Sequence, residues 1–293
     1  MATVADCAPP TAAAAARPAP AGQAPGYTVE SLAAELTALG VVPGDVLLVQ
    51  AGLRSVGRVA GGAEAVVRAL LAALGGVARG TLVGYTATPE NSDTSRLAAL
   101  LTDGLGPAEL AAHRAAMPAF DPRGTPASPT MGALAEQIRT TPGALRSNHP
   151  QTSFAAVGRL ARTVTATHEL DCHLGESSPL GRLHELGAKV LMLGVPLAGC
   201  TAFHLADLRM PDPPVKRYGC VVRGGRGNAE WIHFEAPDLD DRHFAALGED
   251  VLREAPGLRQ GRVGDADAVL VPVPEAVAAA HRGLVRRRGA AEV

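Results

Sequence analysis

The amino-acid sequence predicts an α/β domain with a β-hairpin excursion in its C-terminal part. The first observation is the order of elements near the N-terminus, where the apolar run GDVLLVQ, the helical stretch GGAEAVVRALLAALGG and the apolar run GTLVGYTA follow one another. This strand, helix, strand order favours two parallel strands joined by a crossover helix. The second observation is the pair GCVVRG and AEWIHFEA after Pro214, which has the composition of two paired strands.

A helix is predicted at the start of the regular part of the chain. In TVESLAAELTALG the leucines recur at helical spacing, Thr28 is a typical N-cap, Glu30 lies in the first turn and Gly40 ends the pattern. In the next helical stretch, the valines and leucines between residues 66 and 74 share one stripe. These patterns predict one helix before the first strand and one after it.

The middle of the chain is predicted to be less regular. Between Thr88 and Pro129 the periodicity is lost, apart from a helical patch near LGPAELAAHRAAM, and such long stretches are usually functional or mobile. Helical order returns at TMGALAEQIRTTPG, the strand SFAAVG follows, and a second irregular stretch runs to Pro179. The strand AKVLMLGV, the hairpin, the strand DADAVLVPV and the helix PEAVAAAHRGLVRRR complete the prediction.

Composition excludes several classes of protein. The chain has 293 residues, of which 47% are hydrophobic and 19% charged, and no run approaches the roughly 20 apolar residues of a membrane helix. A net charge of -2 argues against nucleic-acid binding, which requires a basic surface. We expect residues 1–26, which are rich in alanine and proline, to form a disordered tail, and residues 27–293 to form a single domain.

The cysteines and common motifs support neither a disulfide framework nor a metal site. The four cysteines are widely spaced and contain no CxxC pair, which fits a reducing cytoplasm; they are Cys7, Cys172, Cys200 and Cys220. The sequence lacks GxSxG, GxxxxGK[ST], GxGxxG and HExxH motifs. His168 and His173 are five positions apart, so a helix would hold them on different faces, and we expect no metal.

The segment GVPLAGCTAFHLADLRMP contains the candidate for catalysis. It follows an apolar strand, so a site there would lie beyond the carboxyl end of that strand, where α/β sheets usually bind ligands. We expect Thr201 to cap a helix with His204 in its first turn and Asp207 on the same face. Two interpretations compete for His204: a buried core histidine, or a general base, which needs a pKa near neutrality.

Five segments together resemble the aminoglycoside 3-N-acetyltransferase family. They are GVVPGDVLLVQAGLRSVGRVAGG, FDPRGTPASPTMGALAEQIRTTPGALRSNHPQTSFAAVG, TATHELDCHLGESSPLGRLHELGAKVLMLGVPL, TAFHLADLRMPD and FEAPDLDDRHF. The resemblance implies an α/β/α layered domain and an acetyl-CoA-dependent enzyme that acetylates the 3-amino group of an aminoglycoside antibiotic. It implies direct attack by the amine, with His204 as base and a carboxylate that orients it. Asp207, which is near in sequence, and Glu235 and Asp238, which are distant in sequence, are the candidates for that carboxylate. The family usually has glutamate where this chain has Asp207.

The same resemblance implies binding residues for both substrates. It assigns acetyl-CoA to the loop after the first strand and to one threonine: Arg54, Ser55, Val56, Gly57 and Thr125. It assigns the cationic acceptor to a histidine and an acidic group: His168, Glu235, Asp238 and Asp240. Carboxylates at the mouth of a cleft would attract ammonium groups and bind them.

The chain departs from the family pattern at two places. Gln50, Ala51 and Gly52 stand where the family usually has a histidine and two serines. After Tyr85 the chain reads TATPENSD, where aminoglycoside-modifying members have a tryptophan-acid motif, and Glu90 and Asp93 are candidate substitutes.

These departures keep other functions open. One alternative is acylation of another natural-product amine, and a second is CoA binding without turnover. A third is a metal-dependent hydrolase using His168, His173 and His204. The sequence also leaves open whether the protein is a monomer or a homodimer.

Overall fold

The computed structural model describes residues 26–225 and 227–291, without the side chains of residues 96, 290 and 291. Apart from Gly26, the predicted N-terminal tail and its Cys7 lie outside the described residues. The strands are β1 (Val46–Ala51), β2 (Thr81–Tyr85), β3 (Leu145–Arg146), β4 (Phe154–Gly158), β5 (Lys189–Leu193), β6 (Val215–Arg223), β7 (Ala229–Pro237), β8 (Arg259–Val263) and β9 (Ala266–Pro272).

Ten α-helices occur in the described part of the chain. They are α1 (Val29–Leu39), α2 (Gly62–Ala73), α3 (Arg96–Thr102), α4 (Pro107–Ala116), α5 (Ala133–Thr140), α6 (Ala161–Thr165), α7 (Pro179–Glu185), α8 (Phe203–Leu208), α9 (Phe244–Glu254) and α10 (Val273–Ala291). None of these helices is long and apolar enough to cross a lipid bilayer.

Seven strands form one mixed sheet in the order β3-β4-β2-β1-β5-β9-β8. The centre is parallel: β1 pairs with β2 and with β5, so that Leu48 lies opposite Val83 on one side and Val190 on the other. The outer strands pair antiparallel. The predicted parallel strand, helix, strand unit is therefore confirmed, and the carboxyl ends of β1, β2 and β5 meet at one edge of the sheet.

Helices cover both faces of this sheet. Leu47 and Val49 point into a core shared with α1, α2 and α5, whereas Val46 and Leu48 point into a core shared with α6 to α10. This alternation follows from the two-residue period of a strand, and near-continuous apolar strands are expected where both faces are buried. The α/β/α layered prediction is confirmed.

The second sheet is the predicted hairpin, in which β6 and β7 pair antiparallel along nine residues each. The hairpin is attached to the long irregular segment after β2. The Val221 amide donates to Asn91 Oδ1 at 3.0 Å, and Arg114 of α4 stacks on the Trp231 ring. The irregular segment thereby fixes the hairpin over the sheet edge where the parallel strands end.

The predicted boundaries hold for the first helix but not for α8. Thr28 caps α1 by accepting from the Ser31 amide, and Gly40 ends it in the left-handed region at φ 118°. The expectation that Thr201 caps α8 is wrong. Ala202 holds the N-cap position without a side-chain hydrogen bond, because the chain passes through a short 3₁₀ turn, Leu197–Gly199, and enters the helix one residue later.

Candidate active site

Three adjoining cavities follow the edge where the parallel strands end. The central one has a volume of about 410 Å³ and is lined by Ala51 of β1, Tyr85 of β2 and Met192 of β5. One neighbour shares Ala51 with it, and the other shares Tyr85, Met131, His204 and Asp241. The three cavities are therefore neighbours along this edge.

His204 lies in the wall common to the central cavity and one neighbour. Its ring packs against Phe244 with the centroids 4.7 Å apart, and its Nδ1 is buried without a hydrogen bond. Loss of hydration lowers the pKa of His204 to about 4, although the negative charges of Asp241 and Asp240 act in the opposite direction. His204 is therefore neutral at pH 7 and able to accept a proton.

Gln50 fixes the turn that carries His204. Its Nε2 donates to the Gly199 carbonyl at 2.8 Å, and its Oε1 accepts from the Thr201 amide at 2.9 Å. One side chain at the end of β1 thus forms hydrogen bonds with two main-chain groups in the turn that leads into α8. Gln50, a departure from the family pattern, has a structural role that the sequence does not reveal.

Asp207 lies in the same short helix but bonds a different histidine. Its Oδ1 is 2.8 Å from His243 Nε2, and its Oδ2 is buried without a hydrogen-bond partner. Burial raises the pKa of Asp207 to about 6, against the stabilising effect of His243. The expected acidic partner of His204 is thus paired with His243, the last residue before α9, which sequence reasoning did not single out.

The loop after β1 forms a wall of the second cavity, which has a volume of about 730 Å³. Arg54, Ser55 and Gly57 line it, as does Arg58. The Val56 side chain is instead fully buried in the core. Two basic side chains beside a 3₁₀ turn make this cavity suitable for a phosphate-bearing ligand. We call it the donor cleft, after the acetyl donor that the family resemblance assigns to this loop.

Thr125 lies outside the walls of the donor cleft. Its hydroxyl accepts from the Asp121 amide at 2.9 Å, and its amide donates to the Asp121 carbonyl. The structure therefore gives Thr125 a loop-closing role and brings it to none of the three cavities.

The third cavity, of about 670 Å³, has an acidic rim formed by Asp238, Asp240 and Asp241. Asp238 lies 3.7 Å from Lys216, and a hydrogen bond from Arg242 lowers the pKa of Asp240. We call it the acidic cleft. Glu235 lies outside its walls, exposed on β7 opposite Arg217, so the structure brings together only part of the predicted acidic group.

His168 is buried behind the acidic cleft rather than in its wall. Its Nδ1 lies 3.0 Å from Ser147 Oγ, and its Nε2 donates to the His173 carbonyl. The ring of His149 lies between those of His168 and His173, at centroid distances of 4.5 and 4.7 Å. Burial lowers the pKa of His149 to about 4, of His168 to about 3 and of His173 to about 2, so all three are neutral.

The remaining predicted acidic residues are engaged elsewhere. Glu90 accepts a hydrogen bond from the Ser128 hydroxyl, and Asp93 forms an ion pair with Arg114 at 2.9 Å. The arginines near the C-terminus contact the buried Asp250 of α9 or the Pro211 carbonyl instead of a cavity. Within residues 26–225 and 227–291, no three His, Cys, Asp or Glu side chains form a metal-binding group, and Cys172, Cys200 and Cys220 are free.

Comparison with known proteins relates residues 48–284 to the family described as aminoglycoside 3-N-acetyltransferase. An aminoglycoside N(3)-acetyltransferase III of Serratia marcescens is 41% identical over 206 residues, which cover 70% of this chain and 73% of that one. A protein of the same name from Pseudomonas aeruginosa is 35% identical over 90% of this chain and 95% of its own length.

Solved structures agree with the sequence comparison. AAC-IIIb in a binary complex with CoASH superposes with a TM-score of 0.77 at 35% identity, covering 90% of this chain and 98% of that one. AAC-VIa with bound sisomicin superposes with a TM-score of 0.78 at 28% identity, covering 90% of this chain and 99% of that one.

Proposed function

The chain belongs to the aminoglycoside 3-N-acetyltransferase family, a family of acyltransferases, and from this premise we propose that it transfers the acetyl group of acetyl-CoA to the 3-amino group of an aminoglycoside. The observation that carries the proposal is the position of His204. It lies where the central cavity meets the acidic cleft, while the donor cleft joins the central cavity on the other side at Ala51.

Acetyl-CoA occupies the donor cleft in this proposal. Arg54 and Arg58 supply positive charge for its phosphates. The Ser55 hydroxyl, which donates to the Gly194 carbonyl at 3.4 Å, presents an oxygen to the same cleft. The thioester then reaches the central cavity past Ala51. Next to Ala51, Gly52 packs directly against the main chain of Gly194, where a Cβ atom would lie 2.8 Å from the carbonyl oxygen.

The aminoglycoside occupies the acidic cleft. Its ammonium groups are attracted by Asp238, Asp240 and Asp241, which concentrates a polycation at the cleft mouth. One amine, which must be deprotonated to react, extends into the central cavity beside His204.

The reaction is a direct transfer. The amine nitrogen forms a bond to the thioester carbonyl carbon, and His204 Nε2 accepts the proton that the nitrogen loses. The C–S bond then breaks, the acetamide is released, and the imidazolium returns the proton to the departing thiolate of CoA. Burial lowers the pKa of His204 to about 4, below the near-neutral value at which a general base is most efficient. Proton transfer is aided because the amine becomes more acidic as it bonds to carbon, and because the charges of Asp241 and Asp240 stabilise the imidazolium.

Acylation of another natural-product amine is the second candidate. It is favoured by the internal contacts of Glu90 and Asp93, which leave the segment after β2 without a carboxylate directed at the acceptor. Both candidates place the enzyme in the cytoplasm, where acetyl-CoA is available.

A mass-resolved acetylation screen tests the proposal. The purified protein is incubated with acetyl-CoA and a panel that includes sisomicin, gentamicin and kanamycin B as well as unrelated amines. Addition of one acetyl group to aminoglycosides supports the main proposal, and acetylation of other amines alone selects the second candidate. Tight CoA binding without any acetylated product would refute both and indicate a CoA-binding protein.

A further inference from the structure

Besides His204, two residues in the wall of the acidic cleft carry a buried polar atom that has no hydrogen-bond partner. The two atoms are Oε1 of Gln151 and Nε2 of His173, in side chains that belong to residues only 5% and 1% exposed. Buried polar groups in proteins are almost always hydrogen-bonded, so an unpartnered pair in a cleft wall points to a ligand. Neither residue is used in the reaction described above.

Main-chain contacts hold Gln151 in place. Its amide donates to Nδ1 of His149 at 3.1 Å, and its carbonyl accepts from the Thr88 amide at 2.8 Å. The hydroxyl of Thr88 also donates to the Pro150 carbonyl at 2.6 Å. The backbone is thus fixed on both sides of the side chain, which limits the freedom of the amide group that lines the cleft.

His173 is held just as firmly. Its backbone has φ 45°, unusual for a residue other than glycine, and its carbonyl accepts from His168 and from the Thr152 hydroxyl. Its ring packs between His149 and Tyr218, at centroid distances of 4.7 and 4.5 Å. A constrained backbone that persists at a cleft wall is typical of a functional position.

Gln151 and His173 prefer different ligand groups from those that the aspartates of the rim prefer. The rim is made of carboxylates, which match ammonium groups, whereas an amide and a neutral imidazole match an uncharged hydroxyl. Burial, together with the nearby His149, His168 and His204, holds the pKa of His173 far below its usual range, so the ring stays neutral beside the aspartates. An amino sugar carries both kinds of group.

We propose that Gln151 and His173 form a subsite that binds a hydroxyl group of the amino-sugar acceptor, below the acidic rim. The inference rests on the proposed function and adds a specificity determinant to it. The hydroxyl would donate to Gln151 Oε1 and exchange a second hydrogen bond with His173 Nε2. An acceptor that lacks the hydroxyl would leave two buried polar groups without hydrogen bonds. The subsite would therefore favour acceptors that carry the hydroxyl over those that lack it.

The test uses three acceptors with the same amino groups. Kanamycin B, tobramycin and dibekacin carry successively fewer ring hydroxyls, and each is measured with the wild-type enzyme, Gln151→Leu and His173→Phe. Gln260→Leu, at an exposed position of β8, is the matched control for the first substitution. Thermal unfolding and CoA binding verify that each variant is folded.

We expect Gln151→Leu to raise KM for kanamycin B by about tenfold, with a smaller increase for dibekacin and little change in kcat. His173→Phe should act in the same direction. An equal loss with all three acceptors, or no change in KM, would overturn the subsite.

Calorimetric titration separates the failure of the subsite from the failure of the proposed function. If the wild-type enzyme acetylates none of the three acceptors, the proposed function fails. Preferential binding of kanamycin B over dibekacin, lost in Gln151→Leu, would still support the subsite. Equal binding of the two, or no binding of either, would refute it.

Discussion

The carboxylate of Asp207 lies 2.8 Å from Nε2 of His243 and joins α8 to the N-cap residue of α9. His204 lies one turn earlier in α8, and Asp241 lies two residues before His243. The contact therefore connects the helix that carries the proposed base to the segment that forms the acidic rim.

We predict that Asp207→Ala and His243→Ala lower kcat/KM to similar extents and are not additive. Each substitution leaves the other partner of a partly buried pair unsatisfied, at a cost of about 1–3 kcal/mol, so the second loss adds little to the first. A double-mutant cycle on kcat/KM and on the free energy of unfolding measures the coupling. Fully additive losses would show that the pair does not act as a unit.

The stability of the protein should fall as the pH is lowered from about 7 toward 5. Burial lowers the pKa values of His149, His168, His173 and His204, so the unfolded chain binds more protons than the native state below the ordinary histidine pKa of about 6.5. The stabilisation that comes from these neutral histidines is thus fully present above about pH 6.5 and is lost as the pH falls toward their pKa values in the folded protein. Asp207, whose pKa is raised to about 6, acts in the opposite sense but is a single group.

Urea unfolding at several pH values measures this effect. We expect a decrease in the free energy of unfolding on the order of a few kcal/mol, with a smaller slope for His204→Gln, which has one buried histidine fewer. A flat profile between pH 5 and 7 would contradict the neutral state assigned to these histidines.

Arg54→Ala should weaken acetyl-CoA binding by about tenfold, because the donor cleft loses a charge-assisted contact to a phosphate. KM for the acceptor should not change, because the acceptor binds in the acidic cleft. Calorimetric titration with CoA measures the change directly. Arg68→Ala, on the exposed face of α2, is the matched control. If the two variants bound CoA equally well, Arg54 would have no part in the donor site.

Asp241→Asn should raise KM for a polycationic acceptor several-fold at low ionic strength, and the effect should shrink as salt is added. Asp241 lines both the central cavity and the acidic cleft, whereas Glu235 lies outside their walls. Glu235→Gln is therefore a suitable control and should leave KM nearly unchanged. A larger effect at Glu235 would restore the role that the family resemblance implies for it.

Local patterns in the sequence predict the core of the fold well. The apolar runs that become β1, β2, β4, β5 and β9 are visible because buried strands need continuous apolar side chains, and α1 is marked at both ends by its caps. The short strands β3 and β8 and the helix α9 are not predicted. Their sequences are polar or interrupted by glycine, and they form because neighbouring elements supply hydrogen bonds and apolar contacts.

The site is less visible in the sequence because its contacts join distant residues. The position of His204 after a strand can be predicted, but Gln50 reaches Thr201 across 151 positions and Asp207 reaches His243 across 36. No local pattern marks such pairs. The sequence signal for His243 is its position in FEAPDLDDRHF, a segment that the family resemblance associates with the acceptor.

The most direct test of the account compares wild-type protein with His204→Gln in an acetylation assay with a responsive aminoglycoside. CoA release and product mass are followed together, and CoA binding is measured on both proteins. We predict that the wild type acetylates the aminoglycoside and that the variant loses at least about a hundredfold in kcat while binding CoA normally, since a general base contributes about that much. Comparable turnover by the folded variant would contradict the assignment of His204 as the base.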